Sequence, residues 1–100
     1  MTHADDLPAI ERDDGPTGGT YRARVDGHLA EMTFSRTSEH LIIIDHTEVP
    51  AALRGRGVGQ ALVARAVADA REGSFKIFPL CPFAAAQFRR HSEYRDVLST

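Results

Sequence analysis

Hydrophobic and polar residues alternate in two segments, 20–26 and 28–36, on either side of the Asp26-Gly27 step. An Asp-Gly pair between alternating segments is a strong signal for a tight β-hairpin. The apolar positions that share a face are Tyr21, Ala23 and Val25 in the first segment and Ala30, Met32 and Phe34 in the second. The pattern therefore predicts two antiparallel strands.

The next apolar run, Leu41–Ile44, is unbroken, which is typical of a central strand that is covered on both faces. The strand is expected to end at Pro50. Because side chains alternate along a strand with a period of two, one face is expected to carry Ile42, Ile44, His46 and Glu48.

From Val58 to about Glu72 the apolar residues recur with helical spacing. The stripe consists of Gly59, Leu62, Val63, Ala66, Val67 and Ala70. Gly73 is expected to end this helix in the left-handed conformation. The segment "SFKIFPLC" then predicts a strand, and Pro82 opens a second helix that runs to about Arg90.

Strand, helix and strand in this order predict a crossover between parallel neighbours. The expected fold is α/β (α+β), with a mixed sheet, an antiparallel N-terminal hairpin, a parallel C-terminal strand pair and two main helices. Residues 1–20 are polar and acidic and finish in the breaker cluster "DDGPTGG", so only Leu7–Ile10 could form a short strand there. We expect residues 1–20 to be loose or partly paired and residues 21–100 to form the domain.

Composition narrows the class of protein. A chain of 100 residues with 42% hydrophobic residues fits one domain. A formal net charge of −2 disfavours nucleic-acid binding by overall charge. The single cysteine, Cys81, cannot form a disulfide within the chain, and no segment has the character of a secretion signal or a membrane span. We therefore expect a cytoplasmic protein.

The loop Arg54–Gly59 lies between the predicted central strand and the start of a helix. The first N–H groups of a helix have no internal partners, and its dipole adds partial positive charge, so this position suits an anion. Its three glycines permit positive φ values and a close approach to the backbone, and two arginines add charge. The alternative is a simple turn. A nucleotide P-loop is excluded, because no Gly-Lys-Ser/Thr sequence follows.

The sequence "HTEVPAALRGRGVGQALV" followed by "FPLCPFAAAQFRRHSEY" resembles the GNAT N-acetyltransferase superfamily, in particular its compact stand-alone acetyl-CoA-binding members. The similarity covers roughly residues 20–98, and the motif Arg/Gln-x-x-Gly-x-Gly/Ala falls on Arg54, Gly57 and Gly59. The resemblance implies a reduced GNAT fold that uses acetyl-CoA and an amine acceptor, either a small molecule or a protein, and no metal. It also implies that pyrophosphate is held by Arg54, Gly55, Arg56, Gly57, Val58, Gly59 and Gln60.

In that superfamily the strand before the loop separates from the next parallel strand, and pantetheine lies between them. The resemblance therefore implies that the backbone of Glu48 and Val49 meets pantetheine. Two features depart from the pattern. The usual N-terminal helical pair has no room, and the tyrosine that protonates the leaving thiolate is replaced by Arg89, with Tyr94 further along.

Three residues are candidates for catalysis. His46 and Glu48 share a strand face near the proposed gap and could act as bases; the alternatives are a hydrogen-bonded structural histidine and a solvated carboxylate. Cys81 lies at a strand end before Pro82, where the helix dipole would favour a thiolate that could accept acetyl. The alternative is a small buried cysteine.

His91 could join Arg89 and Arg90 in binding coenzyme A phosphate, or belong to a solvated basic helix end.

Two functions are compatible with these residues. The first is transfer of acetyl from acetyl-CoA to an amine; the alternative is a non-catalytic acetyl-CoA or CoA-binding module. A third, RNA or phosphoprotein binding through Arg54, Arg56, Arg89 and Arg90, is disfavoured by the net charge. We expect neither nucleic acid nor membrane as a partner, and the oligomeric state stays open.

Overall fold

A computed structural model describes residues 9–99, which form one five-stranded sheet and two α-helices. The strands are β1 (Ile10–Asp14), β2 (Gly18–Val25), β3 (His28–Ser38), β4 (Leu41–Glu48) and β5 (Lys76–Pro79). The helices are α1 (Val58–Gly73) and α2 (Pro82–Arg90), and short 3-10 segments cover Ala51–Leu53 and Ser92–Val97.

The strands lie side by side in chain order. The first four are antiparallel, whereas β4 and β5 are parallel and are connected by way of α1. Asp26 and Gly27 form the β2–β3 turn with φ values of 52° and 79°, and left-handed residues at both turn positions suit the twist of a hairpin. The predicted mixed sheet, with its antiparallel hairpin and parallel C-terminal pair, is confirmed.

Part of segment 1–20 belongs to the sheet. Ile10–Asp14 pairs with β2 as an antiparallel edge strand, and β2 itself begins at Gly18. Of the strand predicted at Leu7–Ile10, only Ala9 and Ile10 fall within the described residues. The described part of the segment is therefore largely paired.

One face of the sheet and one side of each helix form the core. The buried strand residues include Tyr21, Met32, Phe34, Ile42 and Ile44, and α2 adds Ala84 and Phe88. All six residues of the predicted helical stripe are buried, so that stripe is confirmed. Helix α1 thus covers the sheet with the face that its sequence period indicates.

The end of α1 differs from the prediction. Gly73 is still helical, and Ser74 is the left-handed residue, with φ 58°. Its backbone N–H donates to the carbonyl of Ala70. Gly73 is needed for another reason, since a Cβ there would lie 2.9 Å from a ring carbon of Phe75. The glycine therefore makes room for an aromatic ring, and Ser74 ends the helix.

The prediction that β4 is covered on both faces is wrong. Ile42 and Ile44 are at most 1% exposed, but Leu41 and Ile43 on the opposite face are only half-buried. The buried residues of both helices belong to one core cluster with Ile42 and Ile44, so within residues 9–99 both helices pack on that face of the sheet.

A β-bulge at Asp45 interrupts the alternation along β4. Ile44 pairs with Phe34, whereas the next pairing is between His46 and Thr33, so Asp45 is an extra residue on β4. Its carboxylate accepts a hydrogen bond of 2.6 Å from the Ser35 hydroxyl. The extra residue shifts the period of the strand by one position.

The bulge reverses the faces of the residues that follow it. Thr47 pairs with the buried Met32, while His46 and Glu48 are exposed on the outer face. The assignment of His46 and Glu48 to the face of the buried isoleucines is therefore wrong, although the two side chains do share a face. A period of two holds only while every residue has a partner.

Candidate functional site

β4 and β5 separate at a defined point. Their pairing ends at Ile44 opposite Pro79, and the carbonyl of Ile44 then accepts N–H groups from Leu80 (3.1 Å) and Cys81 (3.0 Å). Beyond this point β4 continues to Glu48, whereas the chain after β5 turns into α2. The two elements thus diverge from Ile44 and leave a gap between them.

The loop that follows β4 requires glycine at two positions. Gly55 and Gly57 have φ values of 78° and 79°, in the left-handed region that residues with a side chain rarely adopt. A Cβ on either residue would meet no atom within 4 Å. The backbone conformation, and not crowding, is therefore the reason for glycine here, and the loop faces open space.

The N-terminus of α1 presents backbone N–H groups beside this loop that have no hydrogen-bond acceptor among residues 9–99. Gly57 is the N-cap and provides no side-chain hydrogen bond, and the first turn carries no acidic residue. The first backbone hydrogen bond runs from the N–H of Ala61 to the carbonyl of Gly57 (3.0 Å). The N–H groups of Val58, Gly59 and Gln60 precede that bond and find no acceptor in the helix. This geometry suits an anion.

Gly59 holds the start of α1 close to its neighbours. A Cβ there would lie 2.7 Å from Cζ of Phe83 and 3.3 Å from Cγ2 of Val49. Helix α2 and Val49, the residue that follows β4, therefore pack closely against the first turn of α1. The third glycine of the loop is needed for packing, whereas the other two are needed for backbone conformation.

A cleft of about 310 Å³ lies between the end of β4, the loop and α2. Its lining combines Thr47, Val49 and Leu53 from the β4 side, Arg54, Gly55 and Gly57 from the loop, Val58, Gly59 and Gln60 from α1, and Phe83 from α2. Seven of the nine predicted coenzyme-binding residues line it, all except Glu48 and Arg56. The N-terminus of α1 and the gap between β4 and α2 thus border one cavity.

The two loop arginines have different surroundings. Arg54 lines the cleft. Arg56 does not, and its guanidinium instead donates to the carboxylate of Asp26 in the hairpin turn at 2.8 Å. Because this ion pair is exposed, it leaves Arg56 free to exchange partners at little cost.

The predicted catalytic residues are not gathered in the cleft. His46 and Glu48 lie on the outer face, where β4 borders the gap, and both are exposed. Cys81 is only 4% exposed and is the N-cap of α2, where its Sγ accepts a hydrogen bond from the N–H of Ala84 at 3.4 Å. The structure thus places two candidates outside the sheet and one beneath the cleft.

Thr47 is the residue that the sequence patterns did not single out. The bulge turns its side chain towards the core face, where Oγ1 lies 3.3 Å from Sγ of Cys81 and the residue lines the cleft. A strict period of two places Thr47 on the opposite face from Ile44. Its position between His46 and Glu48 in the motif was therefore the only available signal.

The end of α2 and the 3-10 segment that follows it do not line the cleft. Tyr94 packs its ring against those of Phe88 (5.6 Å) and His91 (5.0 Å), and His91 Nδ1 lies 3.3 Å from a carboxylate oxygen of Glu93. Neither Arg89 nor Tyr94 lines the cleft.

Among residues 9–99 no helix has the length and apolar character to cross a membrane.

Comparison with known proteins identifies the family. The sequence model of the GCN5-related N-acetyltransferase family matches residues 20–97. The NMR structure of a GCN5-like candidate N-acetyltransferase from Staphylococcus aureus is similar with a TM-score of 0.70 and 34% sequence identity, over 89% of this chain and 87% of that one. A search of curated proteins found no significant match. On the family model and this structural similarity together, the chain belongs to the GCN5-related N-acetyltransferase family.

Proposed function

We propose that the protein binds acetyl-CoA in the cleft and transfers its acetyl group to an amine. The observation that carries this proposal is the continuity of the cleft, which joins the unpaired N–H groups of α1 to the gap where β4 and α2 diverge. Acetyl-CoA needs both features, because its pyrophosphate is an anion and its pantetheine arm is long and thin. A simple turn would need neither.

The residues of the cleft fit this ligand. The N–H groups of Val58, Gly59 and Gln60 would donate to the pyrophosphate, with Arg54 adding charge, while Gly57 leaves the space in front of them open. The backbone of Glu48 and Val49 would meet pantetheine along the gap. Arg56 would join the anion site after leaving Asp26.

The outer face is where an acceptor would approach. β1 and β2 are joined by residues 15–17 and β2 and β3 by residues 26–27, so neither connection contains a helix that could cover this face. His46 and Glu48 border the gap from this side. When the amine attacks the thioester, its nitrogen loses a proton, and either side chain could accept that proton directly or through water.

Cys81 offers a second route. Its thiolate would attack the acetyl carbonyl, the C–S bond to coenzyme A would break, and an amine would then displace the cysteine sulfur and restore the thiol. Cys81 is 4% exposed, and its sulfur is within hydrogen-bond distance of the Thr47 hydroxyl and the Ala84 N–H. This route therefore requires the start of α2 to move. Direct transfer requires no such movement.

A turnover assay tests transfer. The wild-type protein is expected to release free coenzyme A from acetyl-CoA faster with an amine panel than without amine. Glu48→Gln and His46→Gln test which side chain is the base. The substitution that removes the base should lower kcat by about 10²-fold. His40→Gln is the matched control, since His40 is an exposed histidine just before β4. Amine-dependent release that is insensitive to both site variants would refute their catalytic role.

A non-catalytic binding module is the second candidate. It is favoured by the absence of His46, Glu48 and Cys81 from the lining of the cleft. It predicts that acetyl-CoA raises the melting temperature of the protein while no amine accelerates release of coenzyme A. Mass spectrometry separates the routes to catalysis: an acetyl adduct that is absent in Cys81→Ser supports the cysteine route.

A further inference from the structure

A second hollow lies on the far side of α2, and its floor is apolar. The hollow has a volume of about 510 Å³, within the range of small-molecule sites. The floor consists of Pro79 at the end of β5, Ala85 and Phe88 on α2, and Leu98 near the end of the chain. We call it the C-terminal hollow.

The C-terminal hollow is separate from the cleft, and the two share no lining residue. Phe83 lines the cleft, and Ala85 lines the hollow; a helix turns by about 100° per residue, so these two side chains leave α2 on nearly opposite sides. Arg89 lies one turn after Ala85 and faces the hollow too. A ligand in the hollow therefore does not occupy the proposed coenzyme site.

Among the described residues, the polar side chains that line the C-terminal hollow are those of Arg89, Ser92 and Arg95. Within residues 9–99 its polar lining therefore consists of two positive charges and a hydroxyl group, without a carboxylate. Among the described residues, neither arginine has an acidic side chain within ion-pair distance. Two permanent charges thus border an apolar surface without counterions from residues 9–99.

The nearby carboxylates are held by other residues. Asp96 accepts two hydrogen bonds from Arg71, at 2.9 and 3.0 Å, and Glu93 lies 3.3 Å from the ring of His91. In this arrangement both acidic residues of the final 3-10 segment contact partners other than Arg95. The positive character of the rim is therefore a consequence of how that segment is anchored.

We propose that the C-terminal hollow binds a small carboxylate with an apolar body. A planar guanidinium matches a carboxylate with two parallel hydrogen bonds, and an aliphatic or aromatic body would cover Phe88 and Leu98. Both parts of the ligand are needed, because an exposed ion pair alone contributes little and the apolar floor alone does not select an anion. The proposal does not rest on acetyl-CoA binding.

An NMR titration of the full-length protein with 3-phenylpropionate tests the proposal, and 3-phenylpropanamide is the uncharged probe of the same shape. The acid should give saturable shift changes at Leu98, Phe88 and the side-chain N–H groups of Arg89 and Arg95. The amide should bind at least about tenfold more weakly. The acid should cause the same shift changes when the protein is also saturated with acetyl-CoA, because the two cavities are separate.

Substitutions at the rim locate the site. Arg89→Gln and Arg95→Gln should each weaken binding of the acid by about tenfold, because a charge-assisted pair is lost. Arg90→Gln is the matched control, since Arg90 is on the same helix but does not line the hollow, and it should bind the acid as the wild type does. Equal binding of acid and amide, shift changes confined to the cleft, or binding of an acidic peptide but not of the acid would each overturn the proposal.

Discussion

The hydroxyl of Thr47 lies 3.3 Å from the sulfur of Cys81 and connects β4, beyond its bulge, to the N-cap of α2. The contact lies just past Ile44, where the two elements begin to diverge. A side-chain hydrogen bond therefore connects the two elements where the gap between them begins.

Thr47→Val, which keeps the shape but removes the hydroxyl, should lower the free energy of unfolding by about 1 kcal/mol. Thr47→Ser keeps the hydroxyl group and should retain most of that free energy of unfolding. Urea denaturation of both variants, each with and without Cys81→Ala, measures the coupling. Strictly additive effects of Thr47→Val and Cys81→Ala would show that the two side chains do not interact.

Gly59→Ala should destabilise the fold, although alanine is normally the better helix former by about 1 kcal/mol. The new Cβ would lie 2.7 Å from Cζ of Phe83, and such overpacking costs about 1–3 kcal/mol. Phe83→Leu should relieve the clash, so that Gly59→Ala is less harmful in that background. The midpoint of urea unfolding measures both effects, and a stabilising Gly59→Ala would refute the close contact.

Asp69 of α1 is the centre of the contact between that helix and β1 and β2. It accepts hydrogen bonds from the Tyr21 hydroxyl (2.8 Å), Arg12 (3.0 Å) and Arg65 (3.1 Å). Burial alone would raise the pKa of Asp69, but the hydrogen bonds from Tyr21, Arg65 and Arg12 outweigh it and hold that pKa below its usual value. Burial, with the bond to Asp69, raises the pKa of Tyr21.

Stability should therefore depend on Asp69 in acid. A carboxylate with a lowered pKa stabilises the fold above its ordinary pKa, near 4, and this contribution is lost as the pH falls through the folded-state value. Asp69→Asn should cost about 1–3 kcal/mol near neutral pH, and the difference from the wild type should shrink below about pH 4.

Urea unfolding between about pH 7 and pH 2 measures this dependence. Glu72→Gln is the control, because Glu72 is an exposed carboxylate on the same helix. Its effect should stay small throughout. A difference between Asp69→Asn and the wild type that is the same at every pH would contradict the proposed ionisation of Asp69.

The fold was predictable from the sequence because its local signals agree with one another. Asp26-Gly27 fixes the hairpin, and the helical stripe fixes the buried side of α1. The bulge at Asp45 was not predictable, because an extra residue is defined by the partner strand and leaves no mark in the β4 sequence. That single residue decides that Thr47, and not His46 or Glu48, faces the cleft.

The backbone geometry of the loop was easier to predict than the positions of His46 and Glu48 for a related reason. Gly55, Gly57 and the start of α1 are adjacent in the chain, so local sequence determines their geometry. The contact of Gly59 with Phe83 and the ion pair of Arg56 with Asp26 join residues far apart in sequence. Only the folded arrangement reveals which glycine packs and which arginine is already paired.

The backbone amides of Val58, Gly59 and Gln60 report most directly on whether the loop holds acetyl-CoA. In a ¹H–¹⁵N NMR titration, acetyl-CoA should shift these three signals saturably in the wild type. The same result is expected for Gly57→Ala, the control that introduces the backbone strain of a side chain at φ 79° but no charge. Gly57→Glu adds a carboxylate in front of the same donors and should weaken binding at least about tenfold. Unchanged signals in the wild type, or equal binding to Gly57→Glu, would contradict the account.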